Sequence, residues 1–143
     1  MQGMILYRIA LSIHVVTAIL GLGRVLAIAV VASSAGRDMP PSTGTWNTLQ
    51  RLVKGLTWSL VIMLASGALL ERESGGAYHD AWWFRLSVLA LFVLGALSGA
   101  MRRALRKRES AGDERTLGLV MRNAWLMCAV TAGAAVLMEV KPW

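Results

Sequence analysis

The residue best suited to chemistry is His14, the only histidine inside a long apolar stretch. It lies about ten residues into that stretch, or about 15 Å along a helix rising 1.5 Å per residue. In a membrane-crossing helix that is mid-bilayer. The same arithmetic brings Met63, Met127, Cys128 and Phe92 to about that level, within a turn. Imidazole combined with thioether or thiolate suits haem iron or copper(I). His14, Met63 and Met127 are thus candidate haem b ligands, and His14 with Cys128 a candidate copper site. The plainer reading is packing, with the imidazole satisfied by Thr17 or Ser66. Proton transfer is a third role open to an ionisable group at such depth. A bis-histidine site within one chain is disfavoured, because His79, the other histidine, falls in a loop.

Two arginines lie near this position. Arg24 follows His14 on the stripe Ala10, His14, Thr17, Gly21, Arg24, Ile28, spaced by threes and fours as one helix face requires. It is expected to snorkel toward the nearer interface; a lipid phosphate or a propionate is the alternative partner. Arg85 shares its level with Glu71, Glu73, Asp80 and Glu139, which reads as an interfacial ion-pair cluster. A site that gathers ligand or admits protons is the sharper alternative. His79-Asp80 is a weak surface metal pair. No nucleophile–base pair, HExxH, phosphate loop or paired intramembrane carboxylates occur, so hydrolysis is not expected and the balance leans against an enzyme. The single cysteine excludes an internal disulfide.

The elements that carry these residues follow from composition. Of 143 residues, 56% are hydrophobic and only 16% charged, and the charges cluster. A soluble domain carries about 25% charge. Four apolar segments result, at residues 4–32, 56–70, 83–104 and 117–140, giving one all-α, four-helix integral membrane domain. Segment two is expected to begin near Thr45 as an amphipathic helix at the membrane surface, with Trp46, Leu49, Leu52 and Val53 on its apolar side. Pro40 and Pro41 interrupt the helix before it. Gly75-Gly76 mark a loop expected over residues 71–81, Trp82-Trp83 sit at an interface, Asp113 is a candidate N-cap, and Pro142-Trp143 close the chain at the opposite interface.

The net charge of +7 is concentrated beside the spans, in Arg102, Arg103, Arg106, Lys107 and Arg108. That placement fixes topology and meets anionic lipid rather than nucleic acid. With Arg37, Arg51, Lys54 and Arg115, it puts the first and third loops in the cytoplasm and both termini outside. The expected location is the bacterial inner membrane. Small and polar residues should face the bundle: the His14 stripe, then Ser59, Met63, Ser66 and Gly67, then Gly95 with Gly99, then Ala124, Cys128, Thr131 and Ala135. The Gly95–Gly99 pair could instead join two copies.

The stretch His14-Val15-Val16-Thr17-Ala18-Ile19-Leu20-Gly21-Leu22-Gly23 resembles the H-V-x-x-A-I-x-x-x-G opening of bacterial four-helix "predicted integral membrane" proteins of unknown function. More loosely, it is similar to CopD-type copper-resistance proteins and HemJ-type protoporphyrinogen oxidases. Trp82-Trp83-Phe84-Arg85 corresponds to their aromatic-then-basic start of helix three. Arg24 replaces a glycine of that pattern, Arg85 replaces the HemJ lysine, and the HemJ Pro-Arg is absent. The resemblance implies a functional His14. Two functions follow as expectations: a protein holding haem b or copper at His14, or a non-catalytic accessory subunit of a larger membrane complex. A transporter ranks third.

Overall fold

The computed structural model describes residues 2–37, 41–77, 80–108 and 113–139, with side chains at 4–37, 41–77, 80–108 and 114–136. Four helices account for nearly all of it: α1 Gln2–Ala35, α2 Thr43–Glu73, α3 Trp82–Arg106 and α4 Asp113–Glu139. Each is long and apolar enough to cross a membrane. His79, Pro142 and Trp143 lie outside the described residues, as do the side chains of Asp113 and Glu139.

Local chemistry sets the ends of α2. Ser42, in extended conformation, accepts the Thr45 N–H at 3.2 Å and caps the first turn. At the other end Gly75 and Gly76 take φ of +70° and +80°, a region cheap only for glycine. There the Gly75 N–H meets Arg72 O and the Gly76 N–H meets Glu71 O, both at 3.1 Å. This closure corrects the loop expected from residue 71: Glu71, Arg72 and Glu73 are helical.

α1 packs on α2 and α4, and α3 packs on α2 and α4; among the described residues the diagonal pairs do not touch. The chain therefore runs up and down around a square. The turns α1–α2 and α3–α4 share one end, here called the basic end after Arg37, Arg51, Arg103 and Arg106, all exposed.

The tight core lies toward that end. Ile28, Ala29 and Ala32 of α1 meet Leu49, Val53 and Leu56 of α2, Met101 and Leu105 of α3, and Val120, Ala124 and Met127 of α4, each nearly or fully shielded. The apolar face that begins α2 belongs to this core, with Trp46 only 2% exposed. The opposite side of this start, with Asn47, Gln50, Arg51 and Lys54, stays exposed, as the amphipathic pattern implies. The Trp46 ring is covered by the Arg108 guanidinium, 4.9 Å from its centroid.

Toward the opposite end, here called the acidic end after Glu71, Glu73 and Asp80, burial thins. No α3 residue before Ser98 is buried, and no described α4 residue after Met127. Ile19, Phe92 and Trp58 are 66%, 64% and 61% exposed. Water would penalise such a surface, whereas hydrocarbon accepts it.

Two apolar clefts open there. One, about 270 Å³, lies between α3 and α4 at Trp83, Leu86 and Ala134. The other, about 250 Å³, lies between α2 and α3 at Leu64, Phe92 and Gly95. A methyl added at Gly95 or Gly99 would meet nothing within 4 Å. The expectation that this glycine pair faces the bundle is corrected: α3 packs instead through Ser98, Met101 and Leu105.

Candidate functional site

The stripe read from α1 does face α2. Antiparallel packing sets His14 beside Ser66 and Gly67, Gly21 beside Ser59, and Arg24 beside Gly55 and Ser59. Each contact joins positions whose numbers total about 80, so one register governs the seam. Small residues allow it. A methyl at Gly67 would meet His14 Cε1 at 3.5 Å, and one at Gly21 would meet Ser59 Cβ at 3.7 Å. Thr17 is buried between the two polar contacts.

His14 Nδ1 lies 2.9 Å from Ser66 Oγ, and that hydroxyl donates to the Met63 carbonyl at 3.1 Å. Ser66 has one proton. With it directed at Met63, Nδ1 carries the imidazole hydrogen and donates to Ser66. The lone pair is then on Nε2, which has no hydrogen bond among the described residues. An imidazole oriented through one nitrogen, with the other left basic, is the arrangement seen in metal-ligating histidines. Of the two polar partners foreseen for His14, Ser66 is the one engaged.

Arg24 was expected to snorkel without a partner. Its guanidinium is instead turned onto α2, where Nη1 donates to the Gly55 carbonyl at 3.3 Å and to Ser59 Oγ. Ser59 Oγ also donates to the Gly55 carbonyl at 3.2 Å. The closeness depends on Gly55, since a Cβ there would lie 3.0 Å from Arg24 Nε. Both acceptors are neutral, so the arginine's charge is uncompensated among the described residues. The sequence reading placed Ser59 on the packing face but did not single out Gly55. The signal was available as a glycine one turn before a serine on that face.

The remaining candidates are spread out. Met63 reaches the site through its backbone carbonyl. Met127 is fully buried in the core toward the basic end, and Cys128 packs against that core. Phe92 lines the α2–α3 cleft. Neither cleft is lined by His14, Met63 or Met127. Among the described residues no group of three His, Cys, Asp or Glu side chains converges.

Arg85 reaches Asp80 at 3.4 Å in an exposed pair. Glu71 is not in that pair. Both its carboxylate oxygens are shielded and lack a hydrogen bond. It stands one turn beyond Gly67 on α2, level by the seam's register with the buried Ala10.

No protein-family model matches the chain, nor does any curated protein or solved structure.

Proposed function

We propose that this chain is a multi-pass protein of the bacterial inner membrane, basic end in the cytoplasm, whose His14 would hold a haem b through Nε2. The observation that carries the reading is the held imidazole: Nδ1 is tied to Ser66, whose hydroxyl also reaches the Met63 carbonyl, and Nε2 has no partner among the described residues. Haem b fits the donor set better than copper, since a single imidazole would suffice to hold it. Copper(I) wants several soft donors together, and Met127 and Cys128 belong to the core nearer the basic end. The sparse packing toward the acidic end favours the reading: no residue of α3 before Ser98 and no described side chain of α4 after Met127 is buried. When bound, the haem would supply a redox-active iron. Ser66 and Met63 would hold the imidazole in one tautomer, and Gly67 would let it lie against α2. The likeness of residues 14–23 to four-helix membrane families points the same way.

The test is the visible spectrum of detergent-purified protein expressed with ample haem, beside His14→Ala and Ser66→Ala. A Soret band lost in the first variant and weakened in the second supports the reading. Colourless protein overturns it.

A second reading, an accessory subunit of a larger membrane complex, is favoured by a separate observation. Gly95, Gly99, Gly118 and Gly133 each have open space where a side chain would stand, as helices awaiting close neighbours would. Co-purification of a stoichiometric membrane partner with colourless protein would select it.

A further inference from the structure

We propose that Arg24 is a phosphate-binding residue on the basic side of His14 along the α1–α2 seam, holding the headgroup of an anionic phospholipid. The proposal shares with the preceding section only the premise that the chain crosses a membrane. It does not involve His14.

The argument begins with charge. Arg24 is half-buried and meets only neutral oxygens, the Gly55 carbonyl and Ser59 Oγ. A guanidinium does not deprotonate, and a full charge at the edge of the hydrocarbon is costly without a counter-ion. Glu71 lies far along α2, and by the register it faces the opposite end of α1. No described carboxylate pairs with Arg24, so its counter-charge is an anion from outside the described residues.

Geometry makes the site specific. Both contacts to α2 use Nη1. The edge formed by Nε and Nη2 has no partner among the described residues. That edge is the fork that grips a phosphate or carboxylate with two parallel hydrogen bonds. α2 holds the guanidinium from one side, across a Gly55 that leaves it room, and presents the fork in a fixed position. Preorganisation of this kind lowers the entropic cost of binding.

The surroundings select a lipid. Lys54 and Arg51, exposed within a turn of Gly55 on α2, lie at the same level. On α1, Gly23 beside Arg24 is exposed with nothing within 4 Å of its missing Cβ, which leaves an approach for a headgroup. Basic residues at a membrane edge attract anionic lipid electrostatically. Arg24 adds a directed contact to that general attraction.

The test is native mass spectrometry of the detergent-solubilised full chain, titrated with phosphatidylglycerol and separately with phosphatidylcholine. Thermal unfolding is followed in parallel, with inorganic phosphate as a third ligand. Wild type should retain phosphatidylglycerol preferentially. Arg24→Gln should weaken that binding by 10-fold or more. Arg24→Lys keeps the charge without the fork and guards against loss of fold; it should give an intermediate loss. Stabilisation by inorganic phosphate that also depends on Arg24 would support the phosphate site with a soluble anion as its source. Two outcomes would overturn the proposal: unchanged phosphatidylglycerol binding in both Arg24 variants while they remain folded, or a loss produced by Lys54→Gln and Arg51→Gln but by neither Arg24 variant. His14→Ala should leave the lipid result unchanged, so failure of the haem reading is separable.

Discussion

Arg24 and Gly55 are mutually dependent: the guanidinium lies where a side chain at Gly55 would be, with only 3.0 Å between Arg24 Nε and the Cβ that glycine lacks. Arg24 also donates to the carbonyl of the same residue. One position thus supplies both acceptor and space, which ties α1 to α2 at a defined register.

The dependence is testable as a double-mutant cycle. Gly55→Ala should destabilise the protein by about 1 kcal/mol, because the arginine must shift and weaken its bonds to Gly55 and Ser59. In an Arg24→Ala background the same change should cost nearly nothing or stabilise, since alanine favours helix over glycine. The expected coupling is of order 0.5–3 kcal/mol. Unfolding in mixed micelles measures it, and additive effects would show that the contact is not formed.

Ser66→Ala removes the acceptor that orients His14. The Nδ1 hydrogen then has only the weaker option of the Met63 carbonyl. Polar contacts between membrane helices contribute about 0.6 kcal/mol on average and up to about 1.7, so the stability loss should be small. The effect on any group bound at Nε2 should be larger, about 10- to 100-fold in affinity, as for other residues that hydrogen-bond the far nitrogen of a ligating histidine. A large stability loss without an affinity change would make His14 a structural clasp.

How far the sequence reached depends on which helix is considered. On α1 the stripe Ala10, His14, Thr17, Gly21, Arg24, Ile28 was legible from spacing alone, because helix periodicity and the preference for small residues at helix contacts agree. On α3 the same logic chose Gly95 and Gly99, whereas the packed face runs through Ser98, Met101 and Leu105. Glycines can serve a contact within the bundle or one outside it, and spacing does not distinguish them. Glu71 was read as loop because charge and Gly75-Gly76 follow it closely; the helix in fact runs on to those glycines, whose positive φ ends it. The depth arithmetic put Met127 near His14, but α4 turns that residue into the core with Val120 and Ala124. Counting inward from each apolar segment's own end misjudged the level: α4 begins beside the end of α1, with Leu117 against Gly36, so Met127 falls well short of His14.

The two faces of α3 give opposed expectations. Ser98 is 1% exposed and bonded to Thr57 Oγ1 at 3.1 Å. Ser98→Leu should therefore overpack the bundle, at about 1–3 kcal/mol. Gly95→Leu and Gly99→Leu meet open space and should leave the isolated chain as stable as before. Comparison of the three by thermal denaturation in detergent checks this directly. If the glycine variants unfold the chain as Ser98→Leu does, that face packs internally after all.

The last contrast concerns Met127 and Phe92, which the depth arithmetic put at one level. Met127 is fully buried among Val120, Ala124 and their neighbours. Truncation to alanine leaves a cavity that packed helices cannot close, so Met127→Ala should cost about 2–5 kcal/mol. Phe92 is 64% exposed beside the α2–α3 cleft. In a bilayer or micelle its ring trades protein contact for acyl chain with little change in hydrophobic free energy. Phe92→Ala should thus cost well under about 1 kcal/mol, within the range of surface substitutions. Unfolding of both variants in the same detergent decides the matter. A severe loss on truncating Phe92 would mean that α2 and α3 close over it, and the bundle would then be packed along its whole length rather than mainly at its basic end.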